Sequence, residues 1–287
     1  MRAAVCGSPI THSLSPVLHR AAYAALGLHD WEYGLLEVDE RGLPALVASL
    51  DTGWAGLSLT MPLKRAVLPL VDEVEDVALA VEAVNTVVVT ARTPARPGRA
   101  GVHLRAENTD VHGVVAALAE AGARRVERGA VVGGGATARS ALVALLRAGC
   151  PRPVAVVRSP ARAEELHGVA ARLGGRVDVR GWDELPSALQ ADVVVSTVPI
   201  GASADVAAVL APAAAPGGAR PAPLLLDVVY APWPTPLARA WHGPVIGGFE
   251  MLLHQAAAQV THMTGRSAPL AAMRAAGLAE LRARAST

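Results

Sequence analysis

The run Val131-Val132-Gly133-Gly134-Gly135-Ala136-Thr137-Ala138-Arg139 constrains the fold more than any other part of the chain, because an apolar strand passes through three glycines directly into an alanine-rich helical stretch. A turn of this kind joins a buried parallel strand to its crossover helix, and it fits G-x-G-x-x-A at Gly133, Gly135 and Ala138. The same unit repeats around it. Apolar runs at Gly129 to Val132, Val154 to Val157, Val177 to Val179, Val193 to Val195 and Leu224 to Val228 alternate with helical segments, the rhythm of a doubly wound parallel sheet. Residues 1 to 110 also read as α/β, with strands near Ala3 to Cys6, Trp31 to Val38 and Gly56 to Thr60, and a helix from Pro16 to Leu26. Ala91 to Ala100 lies between two apolar runs and reads as a hairpin tip, whereas Ala202 to Pro223 reads as a short helix and an exposed loop. Two helical runs, Phe249 to Met263 and Pro269 to Ala285, close the chain.

At 287 residues the chain suits two domains, each large enough for its own core, and two domains imply a cleft. The expected division is 1–110, 111–247 and a helical tail 248–287. Net charge is +1 and the arginines form no basic stripe, which argues against nucleic acid as a partner. Neither an apolar run near the roughly 20 residues of a membrane span nor a signal-type stretch occurs, so no membrane partner and a cytoplasmic location are expected. Cys6 and Cys150 lack metal or disulfide spacing and the nine histidines lack ligand spacing, so no metal is predicted and both thiols read as buried small hydrophobes.

Of 26 basic side chains only one is lysine, Lys64, in Thr60-Met61-Pro62-Leu63-Lys64, and the only asparagines are Asn85 and Asn108, each followed by threonine. Arginine serves as a fixed cation but cannot release its proton, whereas a lysine amine can act as acid or base. All three residues fall near expected strand ends, which points to a polar pocket that needs these groups. If a nicotinamide cofactor is bound, Lys64 and Asp110 form a candidate acid/base pair, since hydride transfer to a ketone requires a proton for the new alkoxide. The plain alternative for Asp110 is an N-cap for the helix Val111 to Ala121. Ser13 and Ser15, in His12-Ser13-Leu14-Ser15-Pro16, place two hydroxyls before a helix start and suit a carboxylate; capping by Ser15 alone is the alternative.

The glycine loop, Gly133, Gly134 and Gly135, with the first helical residues Ala136 and Thr137, offers close backbone approach and open amides to a pyrophosphate. The next strand carries no acid to hold a ribose 2′-hydroxyl. It leads instead into Arg158 and Arg162, which suit a 2′-phosphate, so NADP is expected over NAD; an outward arginine at a strand end is the other reading.

Together these motifs resemble the shikimate dehydrogenase family. The matching pieces run in order along nearly the whole chain: Gly7 to Ile10 with His12 to Pro16, Thr60 to Lys64, Val84-Asn85-Thr86, Asn108-Thr109-Asp110, the Gly133 loop, Asp227 to Tyr230 with Thr235-Pro236-Leu237, and Gly247-Gly248 with Met251-Leu252 and Gln255-Ala256. The resemblance implies an N-terminal α/β substrate domain, a Rossmann NADP-binding domain, and C-terminal helices that return to the first domain. It implies reversible reduction of 3-dehydroshikimate to shikimate, with Lys64 as acid/base coupled to Asp110. Ser13, Ser15 and Tyr230 would hold the substrate carboxylate, and Thr60, Asn85, Asp110 and Gln255 the ring hydroxyls. Thr197 and Gly248 join the cofactor set. Without the resemblance, Tyr230 and Gln255 read equally as core-edge residues. Ser58 stands where the family usually has asparagine, Val157 replaces an asparagine before Arg158, and Ser196 to Gly201 departs from the commoner run beside the cofactor. A quinate or amino-analogue paralogue and a non-catalytic NADP-binding sensor are the alternative functions, and a homodimer is an option for assembly.

Overall fold

The structure, a computed structural model, describes residues 1–91, 101–210 and 222–286. It divides into two compact units: Met1–Thr109 with Leu253–Thr287, and Asp110–Leu252. No described helix is long and apolar enough to cross a membrane.

The first unit is built on a mixed sheet of strands β1 (Arg2–Gly7), β2 (Glu32–Glu37), β3 (Trp54–Leu59), β4 (Glu73–Val74), β5 (Thr86–Ala91) and β6 (Val102–Glu107), in the order β2-β1-β3-β5-β6-β4. Only β5 runs against its neighbours β3 and β6. The interior strand β1 is buried over Ala3 to Gly7, while the edge strand β2 buries Tyr33 and leaves much of its length in contact with water. Helices α1 (Ser15–Ala25), α2 (Leu43–Ala48), α3 (Leu63–Ala66) and α4 (Asp76–Val81) connect these strands. Leu43, Leu57, Leu63, Val87 and Leu104, all without exposed surface, form one core against a face of the sheet. The register pairs Cys6 with Leu59, Ser58 with Thr86, and Thr86 with Glu107, so the ends of β1, β3 and β6 meet the start of β5 along one edge.

Helix α5 (Thr109–Glu120) leads into the second unit, a fully parallel sheet of β7 (Gly129–Val132), β8 (Val154–Val156), β9 (Asp178–Arg180), β10 (Val193–Ser196), β11 (Leu224–Asp227) and β12 (Val245–Gly247). Its order, β12-β11-β10-β7-β8-β9, is the doubly wound Rossmann arrangement. Helices α6 (Ala136–Arg147), α7 (Pro160–Arg172), α8 (Leu185–Ala188), α9 (Ile200–Ala208) and α10 (Pro236–Ala240) complete the crossovers. Strands β7 and β10 are buried throughout, as a parallel sheet covered by helices requires. The last helices are α11 (Gly248–Thr264) and α12 (Leu270–Ala285), and α12 packs on α1, returning the C-terminus to the first unit. Cys6 and Cys150 are both buried free thiols.

Some local expectations need correction. Ser15 is the first residue of α1 and not its N-cap; Leu14 holds the cap position, and the Ser13 hydroxyl accepts the Ser15 N–H at 3.2 Å. Asp110 likewise lies inside the first turn of α5, not at its cap. Short β4 and β12 were not visible as apolar runs, because strands of two and three residues carry too little periodicity. β5 and β6 form the expected hairpin, but 92–100 of its tip lie outside the described residues. Helix α9 begins at Ile200, ahead of the expected Ala202, and 211–221 of the expected loop also lie outside them.

Candidate active site

The edge where β1, β3 and β6 end is the natural place for a polar site, since loops there leave the sheet while its backbone stays fixed. Asn85, just before β5, is 2 % exposed and is clamped by the ladders on both sides: its carbonyl accepts the Leu59 N–H at 2.8 Å and its N–H donates to the Glu107 carbonyl at 3.1 Å. Its side-chain Oδ1 accepts the Thr109 N–H and the Thr86 hydroxyl, both at 2.8 Å. Its Nδ2 therefore faces the other way, donating to Thr109 Oγ1 at 2.9 Å and to Gln255 Oε1 at 3.2 Å. Asn85 and Gln255 are thus brought together, the second supplied by α11 from 170 residues away. Burying two amides without partners would cost about 1–3 kcal/mol each, and these bonds offset that cost in the interior.

Thr60 follows β3, and its N–H donates to the Cys6 carbonyl at 2.9 Å, while its carbonyl accepts the Leu63 N–H and starts the short turn of α3. Lys64 lies in that turn, half-buried. Its own carbonyl accepts the Val84 N–H at 2.7 Å, which anchors the lysine backbone one residue from Asn85. Ser13 and Ser15 stand together at the start of α1; Ser15 is 5 % exposed. The first unit therefore holds Ser13, Ser15, Thr60, Lys64, Asn85 and Gln255. Asp110, buried in the first turn of α5, and half-buried Tyr230, after β11, belong to the second unit.

In the second unit the glycine loop leaves β7 beside β10, where the sheet order reverses. Gly133 has φ +123°, a conformation L side chains rarely adopt, and a Cβ there would strike Thr197 Oγ1. Thr197 is held in place by donating its hydroxyl to the Val132 carbonyl at 2.9 Å. At Gly134 an added Cβ would come within 2.7 Å of Arg162 Cβ. At Gly135 it would meet nothing within 4 Å, so a space opens in front of α6, whose first residues Ala136 and Thr137 present amides that no side chain caps. That open cradle before a helix of 12 residues fits a dinucleotide pyrophosphate. Arg158 lies with its guanidinium 4.9 Å over the Trp182 ring, while Arg162 pairs with Glu165 at 3.0 Å. Of the two expected arginines, Arg162 lies against Gly134 of the loop, with its guanidinium engaged by Glu165, and Arg158 rests on Trp182. Gly248 opens α11, and a Cβ there would overlap the Val228 carbonyl, so backbone passes too close for any other residue.

Several polar residues escaped the sequence reading. Gln259 is 1 % exposed and binds both Asn85 and Thr86, through its Nε2 to the Asn85 carbonyl at 3.1 Å and to Thr86 Oγ1 at 2.9 Å. Its spacing of four from Gln255 puts both on one face of α11, a signal that an otherwise alanine-rich stretch did offer. Tyr33 and His19 gave no such sign: they stack at 3.9 Å between β2 and α1, a contact with no local pattern. Arg139 and Glu165, paired at 2.7 Å, tie α6 to α7 behind the glycine loop.

Comparison with known proteins places these elements in context. Residues 5–87 match the shikimate dehydrogenase substrate binding domain, and residues 248–276 the shikimate 5′-dehydrogenase C-terminal domain. The shikimate dehydrogenase (NADP(+)) of Moorella thermoacetica is 37 % identical over 279 residues, spanning 94 % of this chain and 90 % of its own. The crystal structure of Mycobacterium tuberculosis shikimate dehydrogenase is 42 % identical with a TM-score of 0.83, covering 97 % of this chain and 99 % of that one. A Thermus thermophilus shikimate 5-dehydrogenase, solved with NADP(H) and shikimate, is 27 % identical with a TM-score of 0.78 over 96 % of this chain and 98 % of that one.

Proposed function

The chain belongs to the shikimate dehydrogenase family, and from that premise and its two sites we infer that it catalyses the NADP-dependent, reversible reduction of 3-dehydroshikimate to shikimate. The observation that carries the reading is the anchoring of the one lysine beside the buried amide pair Asn85 and Gln255, since a proton donor next to fixed hydroxyl-binding groups is what a ring ketone needs. Bound NADPH supplies the hydride for the carbonyl carbon. Lys64 gives the proton to the carbonyl oxygen, with Asp110 as the carboxylate that orients and balances it. Asn85, Gln255 and Thr60 hold ring hydroxyls, together with Asp110. Ser13 and Ser15 take the substrate carboxylate through their paired hydroxyls, with Tyr230 as the third donor. Gly133 to Thr137, Gly248 and Thr197 shape the cofactor's seat, and Arg158 with Arg162 selects the 2′-phosphate. The cytoplasmic location and a homodimer belong to this reading as expectations; gel filtration of the purified chain decides the second.

Shikimate-dependent NADPH formation by the purified protein, with quinate and NAD run in parallel, tests the function directly. Lys64→Ala should lower kcat by about 10²–10⁴ with little change in KM, because an acid/base group acts chiefly in the transition state. A near-normal kcat in that variant removes Lys64 from the role. Turnover of quinate alone transfers the protein to the paralogue activity.

A further inference from the structure

The C-terminal helix holds both ends of the helix that starts at the paired serines. Helix α12 packs along α1 within the first unit. At one end Arg266, just ahead of α12, donates from Nη1 to the carbonyl of Leu26, the C-cap of α1, at 3.0 Å. At the other end Arg284, in the last turn of α12, donates from Nη1 to the His12 carbonyl at 2.8 Å, 272 positions away in sequence. Its Nε is held by Glu280 Oε1, also at 2.8 Å. The two helices therefore run antiparallel, with one arginine at each end of the pair.

The two contacts differ in what they reach. The His12 carbonyl belongs to the peptide that joins His12 to Ser13, and the N–H of that peptide donates to the Ile10 carbonyl at 3.0 Å. Both polar ends of the peptide are thus bonded. Ser13 in turn accepts the Ser15 N–H on its hydroxyl oxygen at 3.2 Å, which joins the two serines. The bonds to Ile10 and Ser15 are local and set the shape of the turn. Among the described residues, the Arg284 bond is the only hydrogen bond that ties the turn 10–13 to an element outside its own loop and α1. Bond lengths alone keep Nη1 within about 6 Å of the Ser13 Cα. The exposed i,i+4 pair of Arg284 with Glu280 would by itself contribute little. Leu26, by contrast, lies about 16 Å along α1 from Ser15.

We propose that Arg284 is a positioning residue for the substrate carboxylate: it fixes the His12–Ser13 peptide against α12 and so sets Ser13 beside Ser15 for the anion the pair holds. This rests on the shikimate reading of the site, in which those serines take the carboxylate. Arg284 acts through the backbone and not by touching substrate. Its effect belongs to the first unit, so the dinucleotide should not sense it. Arg266 makes the same kind of bond at the far end of α1 and is the matched control.

The test measures shikimate KM, NADP KM, kcat and thermal melting for the parent chain, Arg284→Met and Arg266→Met. Shikimate methyl ester is the second ligand, read as substrate or competitive inhibitor. Methionine keeps much of the apolar stem of either arginine and removes its donors. Arg284→Met should raise shikimate KM by about three- to tenfold, the scale of one exposed hydrogen bond, with kcat and NADP KM at parent values. Arg266→Met should lower melting by a similar amount to Arg284→Met yet leave shikimate KM alone. For the neutral ester, which asks less of the paired hydroxyls than a carboxylate does, the ratio of Arg284→Met to parent should fall toward one. A parent-like shikimate KM in Arg284→Met overturns the proposal. So does an equal rise in Arg266→Met, or an equal loss with acid and ester, since either would mark a general loss of packing. A parent that fails to turn over shikimate refutes the proposed function and this inference together, whereas a normal parent with a parent-like Arg284→Met refutes only the inference.

Discussion

Acid should weaken the first unit through His19, which has no exposed surface and lies stacked on Tyr33 at a 3.9 Å centroid distance. Burial pushes its imidazole down to about 3 from an ordinary 6.5, and the contact with Gln259 offsets only a little of this. The folded-state value is depressed, so the unfolded chain binds a proton that the folded one refuses. His19 therefore contributes its full share of stability above about pH 6.5, and that share is lost as the pH falls from there toward 3. The slope is about 1.4 kcal/mol per pH unit, and acidifying from about pH 7.5 to about pH 5 should remove about 2 kcal/mol, a sizeable part of the ~5–15 kcal/mol typical of a folded domain. Other groups titrate over the same range, so the measurement is a difference. His19→Phe keeps an aromatic ring against Tyr33 but cannot take a proton. Urea unfolding of parent and variant across this range should show the stability gap between them changing by about 2 kcal/mol in favour of the variant as the pH drops. Parallel curves would refute the assignment of a buried neutral imidazole.

Three further outcomes are expected. Gly134→Ala sets a methyl against Arg162 Cβ at 2.7 Å, close to the backbone where little can yield, so NADP KM should rise while shikimate KM holds; equal NADP KM would show the loop has slack. Arg158→Ala should erode the preference for NADP over NAD by about tenfold or more, measured as the ratio of kcat/KM values, since a charged hydrogen bond to phosphate contributes about 1.5–3 kcal/mol. Thr235→Val removes both the 2.7 Å donor to the buried Asp227 carboxylate and the acceptor that caps α10 at Ala238 N–H, and should lower stability by about 2–3 kcal/mol, more at neutral pH than in mild acid because burial already raises the Asp227 carboxyl. A pH-independent loss would assign the whole effect to the cap.

Much of the fold was legible because it rests on local signals. The glycine loop after Val132, the buried apolar runs and the helical tail each carry a period or a turn chemistry that a short window reveals. The Asn85 and Lys64 loops stood out for a different reason: in a chain that uses arginine almost throughout, residues kept against the compositional bias mark a chemical need. Helix starts were misplaced by one or two residues; at α1, Ser13 and not Ser15 supplies the oxygen that meets the first amide. Both choices satisfy the same local rule.

The sequence by itself determined the two α/β layers, the cradle for a dinucleotide and the types of polar group at the substrate site, because backbone propensity and side-chain chemistry are properties of nearby residues. Only the tertiary structure decided that Gln255 and Gln259 of α11 reach Asn85 and Thr86 across 170 and 173 positions of chain, and that Tyr33 and Ser58 close the circuit toward Ser15. Hydrogen-bond direction in a buried network depends on every partner at once. No window of sequence contains them together.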